Sequence, residues 1–339
     1  MKDVTHVLSV TDAFYPEHGG VERVSFELAR AMVRRGVRVT ALARRADGRP
    51  DGEEIDGVRV MRFSVPPRIA PLVYLGHMLS SRRKAARLLT LDRPDVAHLH
   101  LSLSAQGPLS VMKNAGVPIV AGFFGPWYKE FAAELADRGT RASAYLRWQM
   151  TAQKKLQRRL LTGADGVVVL SDFSREELRA LAPEADGVTV KIPGGFDPNL
   201  FRPLPKKEAR ATLGLEPGPP IVFTARRLVH RMGLDLLVDA VALLAKRGRR
   251  VRLIIAGAGP LRETLETRAK GHGLADDTTF PGFVTDDELA LFYNACDVFV
   301  VPTRAQENFG LPVLEAAACG CPVVSTDAGS LPEVMGAAE

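Results

Sequence analysis

An α/β fold with parallel sheets is what the sequence predicts, and three observations predict it. Short β-branched runs alternate with amphipathic helical patterns along the whole chain. Several runs are apolar without alternation, as strands covered on both faces should be. The series then restarts after a proline-rich stretch, Lys191 to Pro220, which carries seven prolines. With 339 residues, 46% hydrophobic and 25% charged, the chain is long enough for two ordinary globular domains and too apolar for wholesale disorder. The expected division is a first domain over 1–198, a linker over 199–215 and a second domain over 216–339.

In the first half, strands are expected at Thr5–Val10, Val37–Ala41, Val58–Arg62, Val96–Leu99, Pro118–Ala121 and Gly166–Leu170. In the second they are expected at Pro220–Thr224, Val251–Ala256, Thr278–Phe280, Val298–Val301 and Pro322–Ser325. Val21, Val24, Leu28 and Met32 mark the apolar face of one connecting helix, and Leu234, Leu237, Val238, Val241 and Leu244 that of another. Ser174-x-x-Glu177 reads as a capping box opening a helix. Tyr145 to Leu161 mixes Leu146, Trp148, Met150, Leu156, Leu160 and Leu161 with Arg147, Lys154, Lys155, Arg158 and Arg159. Such a basic amphipathic helix either lies on an anionic bilayer or packs its apolar face into the core.

Composition narrows the function. No apolar run reaches the length of a membrane span. Met1-Lys2-Asp3 leads straight into a strand, without a secretion signal layout. Three cysteines suit a reducing cytosol, and Cys319-Gly-Cys321 has no second pair to complete a zinc site. The chain lacks D-x-D, H-E-x-x-H and G-x-S-x-G, so metal and serine-nucleophile mechanisms have no support in it. Gly257-Ala-Gly259 fails the dinucleotide fingerprint because Arg262 occupies the third glycine position. Up to Asp197 there are 29 basic against 22 acidic residues, and after it 16 against 17. The basic half suits an anionic acceptor, an anionic membrane surface or simply arginine-rich solvated helices.

Open parallel sheets bind ligands beyond the carboxyl ends of their strands, and two such domains leave a cleft. Three features of the second half fall just after expected strands: Arg226-Arg227, the glycine turn Gly257-Ala-Gly259-Pro260, and Glu307-Asn-Phe-Gly310 ahead of a helix from about Leu311. They would meet at one sheet edge and offer guanidinium groups, a glycine turn and free helix N–H groups to a phosphate or diphosphate. Glu315, just over one turn inside that helix, is a carboxylate that burial would penalise unless it is hydrogen-bonded. In the first half, Gly19-Gly20 ahead of the Val21 helix permits close approach of an anion, or makes a plain loop. His98 and His100 fall on one strand face and read as packed histidines.

These residues carry a likeness. Pro16-x-x-Gly19-Gly20-Val21-Glu22, Ile192-Pro-Gly-Gly-Phe-Asp197, Arg227-Leu228…Gly233, Ile255-Ala-Gly257-Ala-Gly259-Pro260, Ala295-Cys-Asp297…Pro302 and Glu307-x7-Glu315 stand in order. The chain thereby resembles the family 4 retaining glycosyltransferases, which use nucleotide sugars and have the GT-B fold of two Rossmann-like domains. The resemblance implies transfer of a hexose from a nucleotide diphosphate sugar to a hydroxyl acceptor, with retention and without a metal or resident cofactor. It implies that Arg227 neutralises the leaving diphosphate and that Glu307 contacts the donor sugar, aided by backbone N–H groups of Phe309, Gly310 and Leu311. Glu315 would hold the ribose, Gly257 would form the donor-side turn, and Gly19 and Gly20 would close over the diphosphate. The acceptor would be a glycan, a lipid-linked sugar or a small molecule, not a nucleic acid, and the enzyme cytoplasmic or peripheral at the inner membrane face. Three departures mark this chain. Phe124 stands where the family usually has a histidine. Met232 stands at the motif's lysine, with Arg231 expected to compensate. The sequence also ends soon after Pro332-Glu333, a truncated donor domain by comparison. A silent homologue that binds nucleotide or glycan as a scaffold is the alternative.

Overall fold

The computed structural model describes residues 3–15, 20–46, 48–65, 72–100, 103–137 and 143–338. The chain divides into two compact units, residues 1–129 with 143–192, and 130–142 with 193–339.

The first unit runs β1 (His6–Val10), α1 (Gly20–Arg34), β2 (Arg38–Arg44), β3 (Gly52–Ile55), β4 (Val58–Phe63), α2 (Leu72–Leu91), β5 (Val96–His100), α3 (Gln106–Asn114) and β6 (Ile119–Phe123). It continues with the first residues of α4 (Trp127–Asp137), a helix whose remainder from 130 belongs to the second unit, then α5 (Ala144–Gly163), β7 (Gly166–Val169), α6 (Asp172–Leu181) and β8 (Thr189–Lys191). Its eight strands lie in the order β3-β4-β2-β1-β5-β6-β7-β8. Every pairing is parallel except β3 with β4. The central strand β1 is buried at all five positions, as its unalternated apolar run requires. One face is filled by Leu8, Val10, Leu99, Ala121 and Phe123, the other by Phe14, Phe26, Val39, Val58 and Val60.

The second unit runs α7 (Lys206–Thr212), β9 (Ile221–Ala225), α8 (Leu234–Lys246), β10 (Arg252–Ala256), α9 (Arg262–Gly271), β11 (Thr278–Gly282), α10 (Asp286–Ala295), β12 (Val298–Val301), α11 (Leu311–Ala318), β13 (Val323–Ser325) and α12 (Leu331–Ala338). Its five strands, in the order β11-β10-β9-β12-β13, are all parallel. Of the α8 face, Leu234, Leu237, Val238 and Val241 are buried as expected, while Leu244 is half-buried.

All eleven expected strands form, with ends shifted by a few residues at most. Two more exist. β3 pairs Ile55 with Val58 across the turn Asp56-Gly57, both residues at positive φ (50° and 77°). That is the backbone of a two-residue hairpin turn, for which Asp-Gly is suited. The short edge strand β8 is the other addition.

Four local expectations are corrected. α1 buries Ser25, Phe26 and Ala29, not Leu28. Phe26 turns the helix because it stacks on Tyr15 and meets Phe14 edge-on. The cap of α6 is Ser171, whose hydroxyl accepts from Ser174 N–H, while Glu177 reaches Lys129 at 2.6 Å. A true capping box does occur, between Thr285 and Glu288 at the start of α10. In α5 only Leu160 and Leu161 of the expected apolar face are fully buried; Gln153 and Gln157 also face inward. Gln157 bridges the Gly125 carbonyl and the Trp127 N–H, so a polar network occupies space that apolar groups were expected to fill. Finally, 199–215 carries α7 rather than only linker. Arg210 and Lys206 pin it to Asp297, and Asn294 bonds the backbone at 202 and 204.

Among the described residues no helix is long and apolar enough to cross a membrane.

Candidate functional site

The carboxyl ends of β9, β10 and β12 bring the three expected features of the second unit to one sheet edge. Register sets this: Ala225 is level with Ala256, and Phe223 with Phe299. The chain leaving β9 is bonded to the chain leaving β10, with Arg226 N–H donating to Ala256 O (3.0 Å) and Leu228 N–H to Ala258 O (2.9 Å). Gly257 makes this closeness possible. A Cβ there would lie 1.9 Å from the Arg226 carbonyl oxygen, at a φ of 124° that side chains rarely adopt. Its place is to let backbone pass backbone.

At this edge Arg226, not Arg227, grips Glu307. The guanidinium Nη2 of Arg226 pairs with Glu307 Oε2, and the two side chains are 5% and 14% exposed. Nη1 of Arg226 is buried and has no hydrogen-bond partner. Thr303 Oγ1 donates to the same carboxylate oxygen at 3.4 Å. The Glu307 backbone is held as firmly: its carbonyl accepts from Ser330 N–H (2.9 Å) and Oγ (3.0 Å). Arg227 is exposed. Arg231 lies in a single 3-10 turn, with its side chain largely buried and Nη1 donating to Gln306 O at 3.2 Å. Burial, more than the neighbouring Arg227 and Arg226, pulls its pKa below the ordinary arginine value. Met232, in the place of the motif's lysine, is a core residue packed with Leu228 and Leu234, so no cation stands there.

Helix α11 opens at Gly310 with no side chain capping it. Leu311 occupies its first turn, Phe309 is buried, and free N–H groups at such an end attract an anion. Glu315 is 2% exposed and accepts from Tyr293 Oη at 3.1 Å. Tyr293 is itself locked edge-on against Phe299 and Phe223. The hydrogen bond is the compensation that a carboxylate at this depth requires.

In the first unit, Gly20 opens α1 with no atom within 4 Å of where a Cβ would be, and Gly19 lies outside the described residues. The rings of His98 and His100 lie 4.2 Å apart, tilted by 41°, and Phe124 stacks on His100 at 5.8 Å. Burial pulls His98 down to about 4 and His100 well below its ordinary value, so both rings are neutral near pH 7. They are packed histidines, as expected, with Ser9 Oγ 3.2 Å from His100 Nε2.

The sequence places Arg226 and Arg227 together at this edge and, by the resemblance, gives the diphosphate to Arg227; it does not foretell that Arg226 pairs with Glu307. Two consecutive arginines leaving a strand point to opposite sides, and spacing does not say which side α11 takes.

Known proteins resemble the chain over both units. Residues 19–194 match the family described as "Glycosyl transferase 4-like domain", and 205–339 match "Glycosyl transferases group 1". A D-inositol 3-phosphate glycosyltransferase of Nocardiopsis dassonvillei is 30% identical over 92% of this chain and 75% of its own length. A GDP-mannose-dependent alpha-(1-6)-phosphatidylinositol monomannoside mannosyltransferase of Mycobacterium tuberculosis is 34% identical over 56% of this chain. The match spans about half of that relative's length, 51%. Among solved structures, the sucrose-phosphate synthase of Thermosynechococcus elongatus superposes with a TM-score of 0.82 over 96% of this chain and 82% of its own, at 23% identity.

Proposed function

The chain belongs to the family 4 glycosyltransferases of the GT-B fold, and on that premise we propose that it moves a hexose from a nucleotide diphosphate sugar to a hydroxyl acceptor, with retention and without a metal. One observation carries the reading: a buried Arg226–Glu307 pair beside Arg227, Arg231 and the uncapped start of α11. Arg227, exposed at the edge, neutralises the diphosphate as it departs, where a developing charge most needs a fixed cation. Arg226 Nη1 and Arg231 add to that field, which offsets the missing lysine. Glu307, held at both its carboxylate and its carbonyl, takes the hydroxyls of the donor sugar. Backbone N–H groups from Phe309 to Leu311 receive phosphate or sugar oxygens, and Glu315 receives the ribose.

The acceptor is bound by the first unit. The relatives named above act on an inositol phosphate and on a phosphatidylinositol mannoside, which supports an acceptor bearing a phosphate. Peripheral attachment to an anionic inner membrane face, in a cytoplasmic enzyme, is part of the same proposal; exposed Tyr145 and Trp148 on α5 support it.

The test is release of nucleoside diphosphate from a panel of UDP-, GDP- and ADP-sugars. One donor should be turned over, and Arg227→Ala and Glu307→Gln should each abolish turnover. Tight binding of a donor without any release, across candidate acceptors, would favour the scaffold alternative.

A further inference from the structure

Arg231 is the cation expected to stand in for the lysine that Met232 replaces, and it is already engaged. Its Nη1 donates to the Gln306 carbonyl at 3.2 Å. Its Nη2 lies 3.9 Å from Glu130 Oε1, with the two side chains 14% and 34% exposed. At that distance the contact with Glu130 is an ion pair but too long for a hydrogen bond. Beyond burial, the charges that act on Arg231 are Glu130 and Glu307, which attract it, and Arg227 and Arg226, which repel it. The two carboxylates differ in their ties. Glu307 is gripped by Arg226 and Thr303, and its carbonyl by Ser330. Glu130 meets Arg231 more loosely and keeps a third of its surface in solvent.

Helix α4 places Glu130 there. The helix passes from the first unit into the second between Lys129 and Glu130. On the first-unit side, Lys129 Nζ pairs with Glu177 Oε2 at 2.6 Å, and the Trp127 N–H donates to Gln157 Oε1 at 3.1 Å. These ties fix the first turn of α4, so Glu130 leaves Arg231 by side-chain rotation alone. A carboxylate in a first helical turn suits the helix dipole wherever it points. Its approach to a largely buried arginine is something the dipole does not require. The charge balance gives that approach a consequence. Three arginines against two carboxylates leave one positive charge over, and without Glu130 they would leave two.

We propose that Glu130 is a built-in competitor for the diphosphate: it holds Arg231 until a nucleotide displaces it, and its return speeds the nucleotide's departure. Arginine forks suit phosphate oxygens, so a diphosphate takes the Arg231 guanidinium when the carboxylate turns away. The proposal rests on the donor reading given above. It adds to that reading a residue that sets affinity by opposing the ligand.

The experiment measures the dissociation constants of UDP, GDP and ADP by calorimetry, on the full chain at low ionic strength. Glu130→Gln should tighten binding of the preferred nucleotide by about three- to tenfold: a part-exposed ion pair is weak, but its loss also ends a repulsion of the phosphates. Glu130→Ala should show the same gain, and the gain should shrink as salt rises. Glu54→Gln, which removes the same charge from the exposed face of edge strand β3, should change nothing. In an Arg231→Gln background, Glu130→Gln should bring no gain, because no cation is left to release. A carboxylate that acted only through folding or overall charge would act there too. Circular dichroism checks that each variant is folded. Equal affinities with and without Glu130, weaker binding by the variant, or the same gain without Arg231 would overturn the proposal and leave the donor reading standing. Failure of every one of these proteins to bind any of the three nucleotides would overturn the donor reading, and the proposal with it.

Discussion

Replacing Arg226 by alanine leaves the Glu307 carboxylate without its cation in a setting where both side chains are largely buried, 5% and 14% exposed. Breaking a fully buried pair costs about 3–5 kcal/mol. Glu307 keeps some solvent and the Thr303 hydroxyl, so the expected cost is about 2–3 kcal/mol. For a unit of this size that lowers the melting temperature by about 4–12 °C, at ~2–4 °C per kcal/mol. Glu307→Ala alone strands the guanidinium, whose Nη1 is already unpartnered. The double variant strands neither group, so it should be more stable than the sum of the single losses predicts, by roughly 1.5 kcal/mol or more. Differential scanning calorimetry is the assay, because both tryptophans, Trp127 and Trp148, lie in the first unit and do not report on the second. Strict additivity, within about 0.5 kcal/mol, would refute the reasoning. The two charges would then be separately solvated, and Glu307 would not be held by Arg226.

Three other outcomes follow from the same geometry. Gly257→Ala should destabilise the second unit by several kcal/mol, on the order of the cost of a forbidden backbone plus a clash, since its Cβ would meet the Arg226 carbonyl at 1.9 Å; a calorimetric melt at wild-type temperature would contradict this. Tyr293→Phe removes the donor to buried Glu315 and should cost about 1–3 kcal/mol, with Glu315→Gln partly rescuing it. His98, held down to about 4 by burial, is neutral when folded but charges when unfolded. The stability it contributes is therefore complete above its unfolded value of about 6.5 and is lost as pH falls from there toward 4, by on the order of 3 kcal/mol. His98→Phe should flatten that part of a urea-midpoint profile, and an unchanged profile would show that His98 does not cause it.

Much of the fold was legible because short β-branched runs alternate with helical patterns, several of them apolar without alternation as burial on both faces requires, and all eleven expected runs became strands. β3 escaped because Gly52-Glu-Glu-Ile is polar and its partner side is an edge; the hairpin signal was Asp56-Gly57, which spacing between Ile55 and Val58 makes readable afterwards. α1 was rotated by aromatic stacking of Phe26, which a count of aliphatic positions does not weigh. At the site, the meeting of Arg226-Arg227, Gly257 and Glu307 followed from strand ends in a parallel sheet. What could not be read was which arginine turns toward α11, that Met232 would be core, and that Glu315 would find Tyr293 from a helix 22 residues earlier. Each of these depends on side-chain direction or on a partner distant in sequence.

The central claim is that the edge formed by β9, β10 and β12 with the start of α11 holds a nucleoside diphosphate. The direct measurement is stabilisation of the protein by free UDP, GDP and ADP in calorimetric melts, with and without Arg227→Ala. One nucleotide should stabilise the second unit by ~2.7 kcal/mol at a hundred times its dissociation constant, and Arg227→Ala should remove the effect. No stabilisation by any of the three, from a sample that melts cooperatively, would contradict the claim.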